Sequence, residues 1–214
     1  MNYKCILFDC DGVLVDSESI SGFVFKEMAE ELGFLMDRDF AIEKFAGVSM
    51  KENLRFIEQN IEGDLPADFE SEFRRRTYEA FQTQLKPVSG VRSLIKKIKV
   101  PIGVASSGPQ KKIRLTLTVT GLIDKFEGNI FSCYDIGSWK PEPGIYLYAA
   151  GQMGFQPAEC VVIEDSRAGV QAAIAGGFKV FARVSDKKKQ DEFVQLGAAV
   201  FSHMEELGEL LNIA

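Results

Sequence analysis

Four short polar segments follow or interrupt apolar runs in this chain, and their residue types suit one kind of chemistry. Asp9 and Asp11 flank Cys10 directly behind Cys5-Ile6-Leu7-Phe8. Ser106, Ser107 and Gly108 follow the run from Ile102 to Ala105. Lys140 lies in Trp139-Lys140-Pro141-Glu142-Pro143, and Glu164 and Asp165 close the run from Cys160 to Ile163. Carboxylates gathered in one place repel one another unless a cation shares the site. Oxygen-only donors favour a hard cation, and Mg²⁺ fits best, because it keeps waters and a substrate phosphate in its shell. Serine hydroxyls and a lysine ammonium suit that phosphate. Each piece alone has an ordinary explanation. A D-x-D pair can be a turn, serines after a strand are often helix caps, and an acidic pair is favoured where a helix starts. Their joint occurrence, each at a loop, favours a shared site.

Other chemistries are excluded by what is missing. The single histidine, His203, rules out a two-histidine metal site within one chain, and its place far along the chain from these segments argues against a Ser-His-Asp triad. No G-x-S-x-G, G-x-x-x-x-G-K-[ST] or G-x-G-x-x-G segment occurs. The cysteines Cys5, Cys10, Cys133 and Cys160 form no C-x-x-C pair and read as buried free thiols of a reducing compartment. Net charge is -6, which leaves no basic footprint for nucleic acid or anionic lipid. The first apolar run is too short for a signal peptide, and no segment approaches about 20 apolar residues. A cytoplasmic protein is expected.

The elements that must carry these residues alternate. Short apolar runs at Lys4–Phe8, Ile102–Ala105, Ile130–Phe131, Cys160–Ile163, Lys179–Ala182 and Ala199–Phe201 read as strands, mostly buried on both faces. Helical spacings separate them: Ile113 and Leu117 after Pro109, Ile145, Ala149 and Met153, and Val170, Ala173 and Ile174 before Gly176-Gly177. Such alternation predicts an α/β fold, a doubly wound parallel sheet with a Rossmann-like core. In such sheets ligands bind outside the carboxyl ends of the strands, where the polar segments fall. Residues 16–86 break the rhythm. Ile20, Val24, Met28 and Leu32 before Gly33, a Ser49…Glu52 capping box ahead of Leu54, Ile57 and Ile61, and Phe69, Phe73, Ala80 and Phe81 predict three helices. Arg74-Arg75-Arg76 reads as a solvated helix face. The expected organisation is a core of residues 1–15 and 87–214 with an all-helical insertion over 16–86.

The segments Phe8-Asp9-Cys10-Asp11-Gly12-Val13, Ala105-Ser106-Ser107-Gly108, Lys140-Pro141-Glu142-Pro143 and Glu164-Asp165-Ser166 resemble the motifs of the haloacid dehalogenase-like hydrolase superfamily, over nearly the whole chain. The insertion ahead of Pro87-Val88-Ser89-Gly90-Val91 resembles the helical cap domain of its β-phosphoglucomutase-like subgroup. Within it, Asp135-Ile136-Gly137-Ser138-Trp139-Lys140-Pro141 and Ala105-Ser106-Ser107-Gly108-Pro109 are similar to the bacterial 6-phosphogluconate phosphatases. The resemblance implies a Mg²⁺-dependent phosphatase of a small phosphorylated sugar or sugar acid, working through an aspartyl-phosphate. It implies Asp9 as nucleophile, Asp11 as general acid and then base, and Mg²⁺ bound by Asp9, the Asp11 carbonyl and Asp165 with Glu164 in support. Ser106 and Lys140 would hold the phosphoryl oxygens, with the Ser107 and Gly108 amides nearby. The expected partner is a small phosphorylated metabolite, with no nucleic acid or membrane, and the chain is expected as a monomer or weak homodimer.

Two rival readings stand beside this. A phosphosugar mutase of the same subgroup carries a cap histidine where Ser21 stands, and a Lys-Gly-Val-Ser-Arg loop where this chain reads Ala46-Gly47-Val48-Ser49-Met50. A non-catalytic signalling domain that accepts phosphate would carry its aspartate at the end of a third strand, where this chain is helical insertion. Ala46 also departs from the phosphatase group, where a lysine is usual. For a sugar-acid carboxylate, Lys51, Arg55 and Lys111 are the candidate cations.

Overall fold

A computed structural model describes residues 3–213. The chain forms two compact units, which divide between Val15 and Asp16 and again between Lys86 and Pro87. The larger unit is built on six parallel strands: β1 (Cys5–Phe8), β2 (Ile102–Ser106), β3 (Ile130–Ser132), β4 (Cys160–Glu164), β5 (Lys179–Arg183) and β6 (Ala199–Phe201). Their order across the sheet is β3-β2-β1-β4-β5-β6. Helices α5 (Val91–Lys97), α6 (Gln110–Val119), α7 (Ile123–Phe126), α8 (Cys133–Ile136), α9 (Gly144–Gln152), α10 (Arg167–Ala175), α11 (Lys187–Leu196) and α12 (Met204–Leu210) supply the connections. The expected doubly wound parallel sheet is what forms. β1 and β4 meet where the strand order reverses, and such sheets leave a crevice there.

Every residue of β1, β2 and β4 is buried. Helices cover both faces, so uninterrupted apolar runs are the stable solution, each buried Val, Leu, Ile or Phe contributing about 1.5–3 kcal/mol. The structure extends four strands one residue beyond their apolar runs, to Ser106, Ser132, Glu164 and Arg183. A polar residue can continue a ladder whose backbone still finds partners, and hydropathy does not register it.

The smaller unit holds α1 (Glu18–Glu31), α2 (Arg38–Phe45), α3 (Met50–Glu58) and α4 (Phe69–Gln84). α1 stops at Gly33, whose φ of 87° suits a residue without Cβ. The Ser49–Glu52 capping box forms at the start of α3. The helix α2 was not among the three expected. It has only eight residues and no sustained apolar spacing, and it is started by Asp37, whose carboxylate accepts from the amides of Asp39 and Phe40. Phe25 stacks on Phe73 with ring centroids 3.8 Å apart and lies 4.6 Å from Phe45, which ties α1, α2 and α4 together. Among the described residues, no helix is long and apolar enough to cross a membrane.

Candidate active site

The strand register builds the site. Phe8 pairs with Ile163 across β1 and β4. One step further along each strand stand Asp9 and Glu164, and the Asp9 amide donates to the Ile163 carbonyl at 2.9 Å. Lys140, from the loop between α8 and α9, reaches both acids. Its Nζ donates to Asp9 Oδ1 at 2.5 Å and to Glu164 Oε1 at 2.6 Å, with 4% of the lysine side chain exposed. Glu164 itself is fully buried and surrounded by donors. Tyr146 OH donates to Oε1 at 2.8 Å, while the Asp165 and Ser166 amides at 2.8 Å and Ser166 Oγ at 3.0 Å donate to Oε2. Gly169 opens this cradle, since a Cβ there would stand 1.7 Å from Glu164 Oε1.

One ammonium serves two buried carboxylates, and the imbalance falls on Asp9. Burial pushes its carboxyl up to about 7. The Lys140 charge opposes that shift, and the charges of Glu164 and Asp11 add to it. Burial also works against ionised Glu164, yet Lys140, the Ser166 amide and the Tyr146 hydroxyl hold its carboxyl below the usual carboxylate range. Burial likewise opposes the charge on Lys140, but Asp9 and Glu164 keep it protonated far above the ordinary lysine value. Isolated buried charges cost several kcal/mol each, so this triad persists only as a hydrogen-bonded set.

A cation would complete it. Oxygens of Asp9, Glu164 and Asp165 all lie within 4.8 Å of one another. The donors are all oxygen, and negative charge exceeds positive, which fits Mg²⁺ rather than a softer metal. Because five hydrogen bonds already reach the Glu164 oxygens, Asp9 and Asp165 are the carboxylates better placed to ligate directly. Gly12 makes room for Asp165. Its φ is 74°, and a Cβ there would stand 1.8 Å from Asp165 Oδ2.

Two more cations hold the loop behind β1. Asp11 Oδ2 accepts from Lys112 Nζ at 2.8 Å, and the Gly12 carbonyl accepts from Arg183 Nη1 at 2.8 Å. At the end of β2, buried Ser106 accepts through Oγ from the Gly108 amide at 3.0 Å, and Ser132 Oγ donates to the Gly108 carbonyl at 2.6 Å. Ser107 is exposed.

The structure thus joins Asp9, Lys140, Glu164 and Asp165 in one hydrogen-bonded or closely spaced set. Asp11 is two residues from Asp9 on the same loop, and Ser106 ends the neighbouring strand. The Gly108 amide is engaged by Ser106 rather than turned to an external acceptor. Lys111 is exposed on α6, and Lys51 and Arg55 are exposed on α3 of the other unit. Cys10 is buried packing, its Sγ 3.6 Å from Thr116 Oγ1. His203 is exposed at the start of α12. Sequence reasoning missed Lys112, Tyr146 and Arg183. Lys112 and Thr116 are four apart and share a helix face, a signal that was available. Nothing local distinguishes Tyr146 or Arg183.

The acid–lysine cluster thus stands at the switch point of a doubly wound parallel sheet, where such sheets bind their ligands. The profile of the haloacid dehalogenase-like hydrolases matches residues 3–177. The chain is 31% identical to the 6-phosphogluconate phosphatase of Escherichia coli (strain K12) over 97% of its own length and 94% of that protein. It is 27% identical to a phosphorylated carbohydrates phosphatase of Thermotoga maritima, with 98% of each chain covered. A conserved haloacid dehalogenase-like protein from Agrobacterium tumefaciens str. C58 superposes with a TM-score of 0.86 at 30% identity, covering 98% of both chains. The chain belongs to the haloacid dehalogenase-like hydrolase family, and within it this is an enzyme of the phosphatase class.

Proposed function

We propose that the protein is a Mg²⁺-dependent phosphatase that hydrolyses a small phosphorylated sugar or sugar acid, 6-phosphogluconate first among them, through an aspartyl-phosphate on Asp9. The observation that carries this is the buried Lys140 ammonium held between Asp9 and Glu164 at the strand ends. The similarity to the Escherichia coli and Thermotoga maritima phosphatases supports the substrate class.

In this reading an Asp9 oxygen attacks phosphorus in line as the bond to the leaving oxygen breaks, and Asp11 gives that oxygen a proton. Water then attacks phosphorus, Asp11 takes its proton, and the bond to Asp9 breaks to release inorganic phosphate. Lys140 and Ser106 hold the phosphoryl oxygens. Mg²⁺ would be held by the Asp9 and Asp165 carboxylates and the Asp11 carbonyl, with Glu164 orienting the set, and would neutralise charge on the phosphoryl group. Residues 16–86 serve as the cap that selects substrate, with hinges near Val15-Asp16-Ser17 and Lys86-Pro87. Ser21 and Ala46-Gly47-Val48-Ser49-Met50 argue for phosphatase over mutase. Four buried free cysteines are in keeping with a reducing, cytoplasmic compartment.

The test is phosphate release from sugar phosphates, sugar-acid phosphates and nucleoside monophosphates, with Mg²⁺ and with chelator. Sugar or sugar-acid phosphates are expected to lead, and chelator to stop turnover. A nucleoside monophosphate ahead of every sugar phosphate by tenfold in kcat/KM, about 1.4 kcal/mol of transition-state preference, overturns the substrate class. Isomerisation of a sugar phosphate in place of phosphate release overturns the hydrolase.

A further inference from the structure

Helix α6 opens with Gln110, Lys111 and Lys112 and has no acid in its first turn. Positive charge there opposes the helix dipole, which favours anions at N-termini. Where a local rule fails, tertiary structure or function supplies the compensation. Lys111 remains exposed, but Lys112 is half-buried and its ammonium lies 2.8 Å from Asp11 Oδ2, across 101 residues of sequence. Its stem runs over Gly108, where a Cβ would stand 3.3 Å from Lys112 Cδ and 3.5 Å from Ser106 Oγ. One turn on, buried Thr116 meets Cys10. The Lys112–Thr116 face of α6 is therefore applied to the Asp9–Asp11 loop. Arg183 pins the same loop through its backbone, at the Gly12 carbonyl.

We propose that Lys112 is a positioning residue for Asp11, its ammonium fixing the carboxyl group through Oδ2 so that proton transfer takes place at Oδ1. The proposal rests on the reading of Asp11 as acid and base. In the first step the Oδ1 proton goes to the leaving oxygen as its bond to phosphorus breaks. In the second, Oδ1 takes a proton from the attacking water. Lys112 keeps its own protons throughout and touches neither reacting oxygen. It orients the group that does.

Lys112→Met keeps the stem over Gly108 and removes the charge, while Lys112→Arg restores charge. Both would be assayed by kcat/KM on a sugar phosphate and on p-nitrophenyl phosphate, with Mg²⁺ present. An alkoxide leaves poorly without a proton, whereas nitrophenolate leaves well. Lys112→Met is expected to lower kcat/KM at least about tenfold on the sugar phosphate and less than about threefold on the aryl phosphate, with Lys112→Arg restoring most of the difference. A purely structural role would depress both substrates alike, so equal losses overturn the proposal, as does no loss on either. Circular dichroism melting of both variants keeps the comparison valid, and Lys112→Gln replaces the methionine variant if that one does not fold. Asp11→Asn, run in parallel, separates the two possible failures. A leaving-group effect there without one in Lys112→Met removes Lys112 from the argument and leaves the acid reading standing. No leaving-group effect in Asp11→Asn removes the acid reading and the positioning role together.

Discussion

Arginine–glutamate pairs on α4 and the lysine–acid set at the strand ends have nearly equal contact distances and opposite consequences. On α4, Glu72 accepts from Arg75 Nε and Nη2 and from Arg76 Nε, each at 2.7 Å, and Arg76 reaches Glu31 at 2.5 Å. The group faces solvent, and hydrogen bonds from Arg75 and Arg76 hold the Glu72 carboxyl down to about 2. At the strand ends Lys140 approaches Asp9 to 2.5 Å, yet burial wins and Asp9 rises to about 7. Water stabilises the surface charges whether or not they pair, so pairing adds little there. The strand-end set is largely shut off from water, with 4% of the Lys140 side chain and 11% of that of Asp9 exposed, so each group depends on its neighbours and an extra carboxylate becomes a source of stored electrostatic cost. In the proposed mechanism a bound cation would relieve that cost.

The largest expected effect is at Asp9. Asp9→Asn is expected to lower kcat by about 10⁴-fold or more, as loss of a nucleophile does, in steady-state phosphate release. The same change is expected to stabilise the metal-free protein at high pH. The folded-state value near 7 lies above the ordinary 3.8, so the folded protein binds a proton that the unfolded chain releases between those values. The penalty for Asp9 is therefore absent below the unfolded value, grows as pH rises, and is complete above the folded value. Urea denaturation in chelator should find Asp9→Asn more stable than the parent at pH 8 and equal to it near pH 4. Equal stability at both would mean that Asp9 is not the strained partner.

Next is Lys140→Met, which leaves two buried carboxylates without their ammonium. A loss of about 3–5 kcal/mol in chelator is expected by urea denaturation at pH 7.5, and Mg²⁺ should return part of it by binding only the folded state. The smallest effect is at the surface. Arg75→Ala removes contacts to Glu72 and Glu79 but should leave the urea midpoint nearly unchanged, and screening salt should remove what small shift there is. A surface loss as large as that at Lys140 would erase the distinction between the two regions.

Much of the fold was legible because its signals are local. Six apolar runs, the helical spacings between them and the break over residues 16–86 follow from periodicity alone. So did the placement of Asp9, Ser106, Glu164 and Asp165 at strand ends, since a polar residue after a buried run has nowhere else to be. The short helix α2 escaped because one carboxylate cap, rather than an apolar stripe, defines it. Which acids meet was decided only by the tertiary structure. Register put Asp9 opposite Glu164, and a loop more than 130 residues along the chain from Asp9 put Lys140 between them. Sequence reasoning named Lys111 as a candidate cation and passed over its neighbour. Only the packing of α6 over Gly108 turned Lys112 toward Asp11 and left Lys111 in water, because contact between residues far apart in the chain depends on how helices rotate against a sheet. Composition settles which residue types are available to a site. Burial then determines which of them are charged, since a carboxylate's ionisation depends on the water it has lost and the partners that replace it.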